Sequence, residues 1–195
     1  MEPTRILFSD GSISELISIQ MEKLLQRYLS IHQDEVNEQH IAEFIENNFI
    51  QKIHLYDDSK TITQGETTIN QGATIPLYTR AVFYAVCIPF SGSYELWYYR
   101  PNTYSMRFPE GVITPPTNDS LGSVTLYLRF MSLNPPDSEI QRLYAEQLHL
   151  INSYLSNQLS ALDKGKQQLR QKLIASIQMR MENAKRLNHV HNLLK

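Results

Sequence analysis

Apolar positions in the first fifty residues recur at helical spacing. Ile13, Leu16, Ile17, Met21, Leu24, Leu25 and Tyr28 fall on one face at about 100° per residue, which predicts a helix over Ile13–Leu29. Ser12-Ile13-Ser14-Glu15 stands at its start with capping-box spacing, a hydroxyl and a carboxylate placed to satisfy each other's backbone N–H groups. A second helix is predicted over Asp34–Asn48, with Ile41, Phe44, Ile45 and Phe49 as its stripe.

The period then shortens to two. Gln51–Tyr56 alternates, and Thr74–Pro89 is apolar on both faces: Val82, Tyr84, Val86 and Ile88 on one, Ala81, Phe83, Ala85 and Cys87 on the other. Such a strand is usually covered on both sides. After the Ser91-Gly92-Ser93 turn, the aromatic stretch Tyr94–Tyr99 reads as another strand. Leu121–Met131 places Val124, Leu126, Leu128 and Phe130 inward, with Thr125, Tyr127 and Arg129 outward. Thr61–Asn70, polar and interrupted at Gly65, predicts a weak hairpin or a loop, and the proline-rich Arg100–Pro116 an irregular loop with short extended pieces. Strands joined this way suit an antiparallel sheet better than βαβ units.

Helical spacing returns after the Asn134-Pro135-Pro136 stop. Ile140, Leu143, Tyr144, Leu148, Ile151, Tyr154, Leu155, Leu159 and Leu162 cover half a wheel behind an Asp137 cap. Asp163-Lys164-Gly165-Lys166 reads as a break, followed by a helix to about Asn188 with the seam Leu169, Leu173, Ile177, Met181, Ala184 and Leu187. The expectation is an α+β protein. Residues 1–133 form one domain, with a helical pair over 13–49 and a central, mostly antiparallel sheet over 51–133. A long αα-hairpin over 137–188 packs on it or on a partner.

Composition narrows the class. At 195 residues and 42% apolar, the chain is large enough to bury a core. There is no secretory-signal pattern and no apolar run long enough to span a membrane. Cys87 stands alone inside the apolar strand, so the reading is a cytoplasmic protein without an intrachain disulfide.

The net charge of −2 hides an asymmetry. Lys164, Lys166, Arg170, Lys172, Arg180, Lys185, Arg186 and Lys195 stand against only Glu182 from Lys164 onward, leaving an acidic remainder. These cations are candidate contacts to a protein partner, a second copy or nucleic acid. Arg170 and Arg180 project beside the apolar seam, which favours docking against a carboxylate over a phosphate-binding stripe.

Trp97, Tyr99, Arg100, Tyr104 and Arg107 form a candidate ligand surface, since aromatics and guanidinium groups stack on rings. The competing reading is sheet core and cross-strand pairs. Asp57-Asp58-Ser59-Lys60 follows a strand as carboxylate nucleases require, and also as any polar turn does. His189-Val190-His191 has no Cys or carboxylate to complete a metal set, and no phosphate-loop, dinucleotide or hydrolase motif occurs. No catalytic residue, metal or cofactor is assigned from composition or spacing.

Two resemblances add to this. Arg186 and His191 resemble the Arg-x4-His signature of HEPN ribonucleases, which implies RNA cleavage with histidine moving a proton, although Leu187 stands where a polar residue is preferred. Over roughly 81–186, a set of scattered positions resembles an uncharacterised bacterial module placed ahead of restriction-endonuclease-like or Toll/interleukin-receptor-like effector domains. The positions are Ile88-Pro89-Phe90, Gly92, Glu95-Leu96, Arg100-Pro101-Asn102-Thr103-Tyr104-Ser105, Pro109-Glu110-Gly111 and Gln147-Leu148-His149-Leu150-Ile151-Asn152-Ser153-Tyr154-Leu155, with Leu169, Ile177 and Arg180. The resemblance implies a sensing or accessory role in bacterial defence, with the effector on a separate polypeptide.

Overall fold

In a computed structural model, which describes residues 4–31, 36–70 and 78–194, the chain is α+β. Its elements in order are β1 (Arg5–Ile6), β2 (Gly11–Ser12), α1 (Ile13–Ile31), α2 (Glu38–Asn48), β3 (His54–Leu55), β4 (Thr61–Asn70), β5 (Tyr78–Ser91), β6 (Tyr99–Arg100), β7 (Glu110–Thr114), β8 (Gly122–Phe130) and α3 (Asp137–Leu193). Two compact units arise: Met1–Ser12 with Gln51–Gln158, and Ile13–Ile50 with Leu159–Lys195. The chain therefore does not divide at 133–137 as expected, because α3 is shared. Its residues up to Gln158 complete the sheet unit, and the rest joins α1 and α2.

In the sheet unit, β1, β7, β8, β5 and β3 lie in that order, with β4 also on β5, and every pairing is antiparallel. A separate two-residue parallel pair joins β2 to β6. One edge of β5 carries β4 opposite Tyr78–Cys87 and then β3 opposite Phe90 and Ser91. Between them the edge is interrupted at Pro89. Its carbonyl accepts from the Tyr56 N–H at 2.9 Å, so its nitrogen faces the same edge and has no hydrogen to donate. The chain opposite leaves the ladder there as a 3-10 turn, Asp57–Ser59.

The alternation predicted for β8 holds. Val124, Leu126, Leu128 and Phe130 are buried and join Val82, Val86, Ile88 and Phe90 of β5 in one cluster. Ile140, Leu143, Tyr144, Leu148, Ile151 and Tyr154 of α3 pack on that cluster. On the other face, Ala81 and Ala85 are buried, while Phe83, Cys87 and Tyr127 are half-buried.

Two local expectations change. Thr61–Asn70 is one ten-residue strand, neither hairpin nor loop: Gly65 lies opposite Phe83, whose Cζ would stand 2.4 Å from a Cβ there. The glycine makes room for a ring; it does not turn the chain. Tyr94–Trp97 is a 3-10 turn, and only Tyr99–Arg100 is extended. Of the short extended pieces expected in the Pro-rich stretch, Glu110–Thr114 forms β7.

In the helical unit, α1 begins directly after Ser12, as the capping pattern predicts, and extends to Ile31. The second helix starts later than expected, at Glu38, capped by Asn37 whose side chain accepts from the His40 N–H. The expected start at Asp34, and Thr74–Leu77 of the predicted central strand, lie outside the described residues.

α3 is a single helix where the sequence predicts two with a turn at 163–166. Gly165 is inside it and buried, because a Cβ would lie 2.7 Å from Cγ2 of Ile17 and 3.0 Å from Cζ of Phe49. The glycine lets α1 approach closely. Ile17, Met21, Leu24 and Tyr28 of α1, Ile41 and Ile45 of α2, and Leu162, Leu169, Leu173 and Ile177 of α3 are among the buried apolar residues of this unit. Among the described residues, no helix is long and apolar enough to cross a membrane.

Candidate functional site

The cations of α3 have two fates. Residues 13–50 carry seven carboxylates against Lys23 and Arg27, so the basic stretch of α3 belongs to the same unit as an acidic helical pair. Lys166 Nζ meets both Glu46 oxygens, at 2.8 and 3.0 Å. Arg170 Nη2 donates to Glu38 Oε2 at 2.6 Å. Arg180 Nη1 donates to the Leu29 carbonyl at 2.7 Å, in the last turn of α1, where carbonyls lack intrahelical partners. The acidic partner implied by the sequence is thus partly α2 of this same chain.

Lys164, Lys172, Lys185 and Arg186 are exposed and form no ion pair among the described residues. They lie on the half of α3 away from Leu169, Leu173 and Ile177, and Lys172 and Lys185 are about 20 Å apart along the axis at 1.5 Å per residue. Such spacing gives a thin phosphate-binding stripe. Arg186, His189 and His191 are all exposed. Among the described residues, no three His, Cys, Asp or Glu side chains come together as a metal site.

The aromatic group is divided by burial. Trp97 is fully buried, 5.4 Å from the ring of Phe90 and 5.6 Å from that of Phe8, so it is core and not ligand surface. Tyr99 is half-buried, and its carbonyl accepts from Gln158 Nε2 at 2.6 Å. Arg100 lies over the Tyr104 ring at 5.4 Å, and both are exposed. Arg107 is exposed, and its carbonyl accepts from the Tyr154 hydroxyl at 3.0 Å. That hydroxyl is also 2.7 Å from the Ser105 carbonyl, and Asn157 Nδ2 donates to Thr103 at 3.1 Å. Of the five predicted residues, only Arg100 and Tyr104 make a stacked, accessible pair.

A constellation that spacing did not point to forms at the Asp57 turn. The interruption at Pro89 directs this turn toward the start of α3, where the Tyr144 hydroxyl donates to Asp57. Lys60 Nζ lies 3.3 Å from Asp57 Oδ1 and 5.5 Å from the centre of the Tyr144 ring. Burial, then the hydrogen bond to Asp57 and its charge, raises the Tyr144 pKa above the ordinary tyrosine value and keeps the phenol neutral. Beside them opens a cleft of about 330 Å³, walled by Ile62, Tyr84, Val86, Leu128 and Ile140. Lys60, Gln141 and Tyr144 complete its lining, and Asp57, Lys60 and Tyr144 satisfy one another. The turn is therefore a fastener between the sheet edge and α3, with its carboxylate already committed to two donors. Proximity in sequence could find Asp57 with Lys60; nothing local points to Tyr144, 87 residues on.

No family model matches this chain, and no match is found among curated proteins or solved structures.

Proposed function

We propose that the chain is a non-enzymatic recognition and assembly module, acting in the cytoplasm as the accessory or sensing component of a bacterial defence system whose effector is a separate polypeptide. The observation that carries the assembly reading is the pairing of basic α3 with acidic α2 through Lys166–Glu46 and Arg170–Glu38 beside a buried apolar seam. Basic-on-acidic helix docking is thus a mode of association these residues already use. The resemblance of residues 81–186 to modules that precede effector domains supplies the defence context.

Two features weigh against the alternative of a small nuclease, acting either through Arg186 and His191 or through the acidic turn at Asp57. Arg186 and His191 lie where every described residue from Glu182 onward is exposed, so no cleft there excludes water or orients a phosphate. The aspartate of the acidic turn is held by Tyr144 and Lys60.

The test is co-expression with the product of the adjacent gene, read by size-exclusion chromatography with light scattering. A stable complex of defined stoichiometry, with no cleavage of RNA by the isolated chain, is the expected result. RNA cleavage lost in the Arg186→Ala and His191→Ala variants would overturn the reading. Binding to duplex nucleic acid that weakens steeply with salt, in the absence of any protein complex, would replace it with the third reading, a nucleic-acid-binding protein.

A further inference from the structure

Beyond Ile177, α3 continues for some four turns in which every described residue except Met181 is exposed. Its large apolar side chains are unusually bare for so short a stretch: Met179 is 64% exposed, Leu187 70% and Val190 43%. With Asn183 and Leu194 these residues follow at spacings of four, four, three and four, inside an arc of about 80° on the wheel. Arg186 borders this stripe on one side and Arg180 on the other. Between residues 178 and 194 the cations Arg180, Lys185 and Arg186 stand against only Glu182.

The part of the same helix that is covered indicates what chemistry covers such a face. Residues 162–177 meet α1, whose Ile17 stands at Gly165, and the acidic helix α2, whose Glu46 and Glu38 supply the partners of Lys166 and Arg170. A second copy of the 178–194 segment is a poorer match than an acidic helix, because it carries the same three cations against one glutamate. Nucleic acid would use the cations and leave Leu187, Val190 and Met179 in water.

We infer that the exposed face of residues 178–194 docks an acidic amphipathic helix of a separate protein. Met179, Leu187 and Val190 would enter its apolar stripe, and Arg186 would pair with a flanking glutamate, as α2 supplies glutamates to the preceding turns. This rests on the assembly reading above and names the surface and the chemistry of the partner.

The probe is a fluorescent helical peptide with leucine at positions i, i+3, i+4 and i+7 and glutamate beside them, matched by one with lysine in place of every glutamate. Titration of the full chain is read by anisotropy at low and moderate salt. The acidic peptide binds at least tenfold tighter than the lysine peptide, and its affinity falls at least tenfold with Leu187→Asp plus Val190→Asp. Arg186→Glu reduces it by about threefold and removes part of its salt dependence. Circular dichroism and melting of each variant, unchanged because the positions are exposed, separate lost docking from lost folding.

Equal binding of the two peptides, or binding indifferent to the double variant, overturns the inference. So does self-association, or duplex binding that the double variant abolishes. Should a complex with the adjacent gene's product form and survive the double variant, the assembly reading stands and this surface is not its seat. Should no such complex form while the acidic peptide still binds at the stripe, the surface stands and the effector assignment fails.

Discussion

Along α3, Tyr154, Asn157 and Gln158 hold the segment 96–107 of the sheet unit by donating to its backbone carbonyls. A few residues later, Lys166 and Arg170 hold α2 of the helical unit through carboxylates. The first set is neutral and, Asn157 apart, buried, which makes it insensitive to salt; the second is ionic, half-exposed and open to screening. The difference follows from what each must hold. An irregular segment exposes carbonyls that no ladder satisfies, so amide and hydroxyl donors fit it. A helix has satisfied its own backbone and offers only side chains, so its partner must read apolar stripe and charge.

The largest effect is expected at Gly165. Leucine there must enter space held by Ile17 and Phe49, costing about 3 kcal/mol by overpacking, where helix propensity alone predicts a gain of about 1 kcal/mol. Urea denaturation checks the sign; stabilisation would mean that Ile17 and Phe49 do not crowd this position. Next, Gln158→Leu removes the donor to the carbonyls of Leu96 and Tyr99 and costs about 1–2 kcal/mol, unchanged between low and high salt. A salt-dependent loss would erase the contrast between the two units.

Tyr144 has a raised pKa in the folded chain, so its share of stability is complete below pH ~10 and is lost as the pH rises toward the folded value. Tyr144→Phe is expected to cost about 1 kcal/mol at neutral pH and to flatten the alkaline decline in unfolding free energy. An identical decline in both proteins would detach Tyr144 from it. The smallest effect is the Arg170–Glu38 pair, both partners about half or more exposed: a double-mutant cycle with Arg170→Gln and Glu38→Gln should give about 0.2–1 kcal/mol, shrinking with salt.

Much of this was legible in the chain. The apolar periods of Ile13–Leu29 and of residues 137–162, and the alternation of Leu121–Met131, found their elements, because each presents one face to a core. The pairing of Arg170 with a carboxylate was legible as well, since a cation beside an apolar seam needs a partner nearby. Misread were the glycines and the aromatic stretch. Gly65 and Gly165 look like breaks, yet each makes room for a side chain distant in sequence, Phe83 and Ile17. Tyr94–Tyr99 has strand composition, but Leu96 and Trp97 bury themselves from a 3-10 turn whose Leu96 carbonyl accepts from the Gln158 side chain.

The sequence by itself determined the α+β class, the antiparallel character of the sheet, and the opposed charges of residues 13–50 and of α3. These follow from local periodicity and composition. Only the tertiary structure decided that α3 is one helix, that Trp97 is core, that Asp57 is held by Tyr144, and which cations remain exposed. Each of those depends on side chains brought together from distant positions, where local spacing carries no information.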